Sequence, residues 1–225
     1  MIARALVWCL PLRYAPTPLL ATLKLMTIER QARNDGKKFV LPPKDNGNGA
    51  KIRVLIAECA GPSEKGYTLE EAAECMQLID KVIWNRLRNP ALYKAKGAKT
   101  VADIIKAPGQ IKGFEEYPEY KAAKIKNIQD KLNIANDAKN KKNADFAAFI
   151  STAFDVVNGP PIPDPSPGTL AGWKTEGHAP PGPNFKLYKT IMGNSFYYVP
   201  KSFVKPKPEP KPELGDFTEP NLKYT

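Results

Sequence analysis

Histidine is nearly missing from this chain of 225 residues, in which His178 stands alone. A zinc site with two histidine ligands, or an HExxH helix, therefore cannot be assembled, and neither a metal nor another cofactor is expected. Cysteine is almost as scarce. Cys9, Cys59 and Cys75 are too few, and odd in number, for a disulfide framework. Small buried apolar side chains are the plainer reading of all three. A Cys59–Cys75 bridge stays open if both sit on helices flanking one turn. Long apolar runs are absent too. The opening "MIARALVWCLPLRYAPTPLLATLKLM" is broken by Arg4, Arg13 and several prolines, so no stretch of it is long enough to span a membrane. Arg4 followed by apolar residues has something of an export signal, but Pro11 interrupts it. An upstream extension, with the working protein starting near Met26, reads equally well.

Acidic residues are the minority charge. Against 34 Lys and Arg stand 23 Asp and Glu, a formal charge of +11. A surface that basic suits a polyanion, whether nucleic acid, an anionic membrane or the bacterial wall.

What is present is mostly helical punctuation. Residues 34–49, "NDGKKFVLPPKDNGNG", read as a linker. Ile52, Leu55, Ile56 and Cys59 then recur at helical spacing until Gly61-Pro62 stops them. Thr68 with Glu71 fits a capping box, opening a long helix whose buried face is Ala72, Met76, Ile79, Ile83 and Leu87. Thr100 with Asp103 starts a short helix carrying Val101, Ile104 and Ile105, closed by Pro108-Gly109. Ala122, Ile125, Leu132 and Ala135 mark a lysine-rich helix, and Phe146, Ile150, Ala153 and Val157 another. "PPIPDPSPG" is a rigid loop. Only residues 185–200 look strand-like, through Phe196, Tyr197, Tyr198 and Val199. The Pro, Lys and Glu of the tail, 201–225, favour an extended spacer. The expected organisation is an extension and linker over 1–49, a mainly helical domain over 50–200 with one strand-like segment near 191–199, and a tail that is extended or disordered.

Within this pattern Glu58 stands out, an acid among Val54, Leu55, Ile56, Ala57, Cys59 and Ala60. Desolvation there would disfavour its charged form and suit it to hold a proton for delivery. The plainer alternative is a solvent-facing position on an amphipathic helix.

Four blocks in order weigh on that choice: "AECAGPSEKG" from Ala57, "VIWNRL" from Val82, "TVADIIKAPGQI" from Thr100 and "IMGNSFYY" from Ile191. Their order resembles the SleB-like cell-wall hydrolase family, the spore-cortex-lytic enzymes and their bacterial and phage relatives, over residues 52–200. The resemblance implies a lysozyme-like, mainly helical fold, cleavage of peptidoglycan glycan strands, and Glu58 as the catalytic acid. The family's second Glu falls on Pro62, so that role is lost or has moved to Glu64. Its late His falls on Ser195, and its Gln-Phe pair is Gln110-Ile111. A longer stretch separates Gly66 from Asn85-Arg86 than in the family.

One acid is enough for a lytic transglycosylase, in which the sugar's own C6 hydroxyl replaces water. A muramidase needs a second carboxylate, with Glu64 the nearest candidate. Gln110 could hold an N-acetyl group, Trp173 could be a sugar platform in a Gly-flanked loop, and one of Tyr197 and Tyr198 could line the cleft. Asn85 is a further substrate-binding candidate, while Arg86 more simply satisfies carbonyls at a helix end. Two other classes stay open: a Cys-His peptidase or amidase using His178, and a nucleic-acid binder using the basic helices. The expected partner is peptidoglycan, with no nucleic acid and no transmembrane segment. A secretion or inhibitor partner is not identifiable from the chain. The expected place of work is the periplasm or wall, reached by export or delivery.

Overall fold

The computed structural model describes residues 38–203, Lys94 excepted. The expectations for an export signal, for Cys9 and for the proline-rich tail beyond Phe203 lie outside the described residues.

The first helix, α1 (Gly47–Glu58), is the axle of the domain. Asn46 caps it, its side chain accepting from the Asn48 N–H at 2.7 Å. Every residue from Gly49 to Ile56 is buried. The spacing of Ile52, Leu55, Ile56 and Cys59 predicts an amphipathic helix, and here the structure corrects the sequence. Four other helices surround α1: α2 (Leu69–Arg88), α3 (Val101–Lys106), α4 (Ala122–Asn136) and α5 (Asn143–Asn158). The residues that would have formed its wet face are therefore inside, and each needs a partner. Lys51 Nζ lies 2.8 Å from Asp80 on α2 and 4.9 Å from the centre of the Trp84 ring. Arg53 donates to the carbonyls of Pro42 and Gly49 at 2.7 and 2.9 Å.

The other helices follow their apolar periodicity closely. Ala72, Met76, Ile79 and Ile83 on α2 are fully buried, as are Phe149, Ile150 and Ala153 on α5. Thr68 caps α2 by accepting from the Glu71 N–H. Thr100 and Asp103 form both halves of a capping box on α3. On α4 the reading fails at one end. Ala122 and Ile125 are exposed, because the buried stripe of this helix is Ile128, Leu132 and Ala135, at i, i+4 and i+7. Residues ahead of α1 are tied down rather than loose: Phe39 exchanges two hydrogen bonds with the Asn136 amide, and Tyr117 donates to the Lys44 carbonyl.

A three-stranded antiparallel sheet packs against α2 through its first strand. Its strands are β1 (Thr169–Thr175), β2 (Lys186–Ile191) and β3 (Asn194–Val199), in the order β1–β3–β2. The strand signal near 191–199 thus belongs to a hairpin, and β1 lies where the sequence reads as loop. The reason is a bulge. Leu170 pairs with Tyr198 and Gly172 with Tyr197, leaving Ala171 as the extra residue. That insertion resets the alternation, so Leu170 and Trp173, of opposite parity, both pack on the main core. The β2–β3 turn is two residues long, with φ of 49° at Met192 and 72° at Gly193, a type I′ geometry matched to the twist of the strands. Among the described residues no helix is long and apolar enough to cross a membrane.

Candidate active site

Glu58 is the last residue of α1, and three elements converge on it. The chain leaves the helix at Cys59 in an extended conformation, which frees the last carbonyls of α1. Lys131 of α4 answers two of them, donating to Ile56 O at 2.6 Å and Cys59 O at 3.0 Å. An ammonium there also opposes the negative end of the helix dipole. The Asn194 amide, where β3 leaves the hairpin, donates to Glu58 O at 3.2 Å. The backbone bearing the acid is thus fixed from a helix and from the sheet.

Its side chain is 17% exposed, and each oxygen has a partner. Lys124 Nζ of α4 lies 2.5 Å from Oε1, and the Trp173 indole N–H points at Oε2 at 3.4 Å. Trp173 is itself held by Arg86, whose guanidinium carbon stands 5.1 Å from the ring centre. Arg86 is fixed in turn by donating to Ala171 O at 3.1 Å and Gln110 O at 3.0 Å. Those carbonyls belong to β1 and to the turn after α3, not to the end of its own helix as the sequence suggests. Burial lowers the guanidinium to about 10. A Cβ added at Gly172 would come within 3.2 Å of that group, so glycine leaves room for it beside the strand.

Glu58 opens on a cleft of about 470 Å³ between the α1–α2 loop, α4 and the hairpin. Glu64, Glu71, Asn127, Thr175 and Met192 also line it. Of the residues singled out from sequence, Trp173 meets Glu58 directly, and Glu64 shares the cleft from an exposed position. The others lie elsewhere. Asn85 is buried and donates to Asp164 at 2.7 Å and Leu170 O at 2.8 Å, pinning the proline-rich loop to α2. Gln110 turns its amide to Tyr93 O at 2.5 Å and reaches the site only through Arg86. Tyr197 is buried, its hydroxyl donating to His178 O at 3.3 Å, and Tyr198 is half-buried. None of these four is among the residues lining the cleft. Ser195 faces Thr190 across the sheet, hydroxyl to hydroxyl at 3.1 Å. Cys59 and Cys75 are buried beneath Glu58 while His178 is exposed on the β1–β2 connection, so the pieces of a Cys-His site are not together. No group of three or more potential metal ligands occurs among the described residues.

Sequence reasoning missed Lys124, Lys131, Asn194 and Glu71. For the lysines a signal exists: Lys124, Ile128 and Lys131 fall at i, i+4 and i+7, one stripe of α4. Other lysines on the same helix conceal it, because a run of them reads as a solvated face.

Burial brings Lys131 down from 10.5 to about 8. With the folded value below the unfolded one, the unfolded chain binds the extra proton between about pH 8 and 10.5. Stability from this group is therefore least below pH 8 and rises as pH climbs through that window. Thermal unfolding of the wild type and of Lys131→Met should show it as a midpoint difference that shifts in favour of the wild type from pH 7.5 to 10. A constant difference would contradict this.

Comparison with protein-family models, with curated proteins and with solved structures found no match to this chain.

Proposed function

We propose that this protein cleaves the glycan strands of peptidoglycan between N-acetylmuramic acid and N-acetylglucosamine, with Glu58 as general acid. The observation that carries the reading is the placement of one carboxyl. It ends a buried helix, is mostly withdrawn from water, touches an indole and opens on a cleft of the size ligands occupy. A lysozyme-like fold, with the acid between a helical body and a small antiparallel sheet, goes with this reading.

In the reaction, Glu58 protonates the oxygen leaving C1 of N-acetylmuramic acid. The carboxylate then accepts the proton of that sugar's C6 hydroxyl as the hydroxyl oxygen closes on C1. The product is a 1,6-anhydro ring and Glu58 is protonated again. No second carboxylate is required, which favours a lytic transglycosylase. Glu64 and Glu71 on the same cleft favour the second reading, a muramidase in which one of them activates water. The basic surface suits an anionic wall.

The ion pair makes a specific demand. Lys124 has to leave Oε1 before the carboxyl can donate, and its side chain, 28% exposed, has solvent to move into. Release of soluble fragments from purified peptidoglycan tests both points. The wild type should release them, and Lys124→Met should release them at least as fast, because the ammonium that has to leave Oε1 is gone. Sacculi left intact by the folded wild type would sink the proposed function. Slower release by a folded Lys124→Met would overturn the demand that this ammonium leave Oε1.

A further inference from the structure

Two thiols meet at the foot of the cleft. Cys59, the residue after Glu58, and Cys75, on the buried side of α2, are 2% and 0% exposed. Their sulfurs stand 2.9 Å apart, closer than unbonded sulfurs ordinarily pack. Each is carried on the end or flank of a helix, so neither approaches the other by chance of a flexible loop. Their surroundings tie them to the acid. Asn194 Nδ2 is 3.7 Å from Cys75 Sγ and donates to the Glu58 carbonyl, and Lys131 donates to the Cys59 carbonyl.

We propose that Cys59 and Cys75 join in a disulfide when the chain folds in an oxidising compartment, fastening the Glu58 end of α1 to α2. The proposal does not depend on what the cleft cleaves. The oxidant is a small or protein disulfide, such as oxidised glutathione. One cysteine thiolate attacks it and forms a mixed disulfide, expelling one glutathione thiolate. The second cysteine attacks the protein-side sulfur and expels the other. The chain loses two protons and two electrons, and the glutathione disulfide is reduced to two thiols.

Timing follows from burial. Desolvation pushes the Cys59 thiol well up, with the Cys75 sulfur adding to the effect. A buried thiol of that kind is inert. Oxidation thus belongs to folding, before the core closes, and a chain already folded in a reducing cytosol should keep both thiols after transfer to air.

The experiment is to refold the full chain from denaturant in a glutathione redox buffer, then to unfold it again and alkylate it. The expected product is about 2 Da lighter than the reduced chain, takes a single label, on Cys9, and yields linked Cys59 and Cys75 peptides. Its unfolding midpoint should fall by about 6–12 °C when reductant is added, the effect of opening a loop of this length. The midpoint of Cys75→Ala should be indifferent to reductant. Three labelled thiols after oxidative refolding, or a bridge to Cys9, would overturn the proposal.

Discussion

Glu58→Gln is expected to slow fragment release from peptidoglycan by about 10²–10⁴-fold, the range supplied by one positioned general acid. Glutamine keeps the shape, and its one carbonyl oxygen can accept from the Trp173 indole, but its amide nitrogen cannot accept from Lys124 and has no acidic proton to give. The side chain makes no buried interaction that an amide oxygen cannot reproduce at Oε2. The ion pair to Lys124 is partly solvated, 28% and 17% exposed, and such pairs contribute little to stability. The unfolding midpoint of the variant should therefore stay within a few degrees of the wild type, which separates lost chemistry from lost structure. Circular dichroism alongside the rate measurement checks both halves. A variant that cuts at wild-type speed would take the acid's role away from Glu58.

Breaking the Lys51–Asp80 pair should produce the largest stability effect. The two groups are 3% and 9% exposed and 2.8 Å apart, and burial pushes the Asp80 carboxyl up against the opposing pull of Lys51. Removing one partner strands the other charge in the core, at a cost of about 3–5 kcal/mol. For a chain of this size that is roughly 6–20 °C in midpoint. Lys51→Met and Asp80→Leu should each show this loss. The double variant should recover most of it, because an apolar pair of similar volume replaces a costly ionic one. Equal losses that simply add in the double variant would mean that the pair is not the source.

Lys51 also illustrates what a sequence hides. The helix positions themselves were legible, since apolar spacing, two Thr caps and the Gly-Pro and Pro-Gly stops all mark local events. Burial of α1 on every side was not, because periodicity sees only one helix at a time. Lys51 and Arg53 look like a wet face until four other helices close around them. The β1 strand was hidden by its own bulge, which breaks the two-residue alternation at Ala171. The Gly-flanked setting of Trp173 suggests a loop and a sugar platform, whereas the residue lies in a strand with its indole N–H facing Glu58. The same limit explains the site. Glu58 was visible as an acid among apolar neighbours, but Lys124 reaches it from 66 positions away and Trp173 from 115. Asn85 and Gln110 occupy motif positions and serve the frame, one holding the proline-rich loop and the other receiving Arg86.

The measurement closest to the central claim is mass spectrometry of the fragments that the wild type releases from purified peptidoglycan, with Glu58→Gln run beside it. The account predicts muropeptides ending in 1,6-anhydro-N-acetylmuramic acid, absent from the variant. Reducing ends would replace the transglycosylase with a muramidase using Glu64 or Glu71. Cut peptide stems, or fragments undiminished in the variant, would contradict Glu58 as the acid of a glycan-cleaving enzyme.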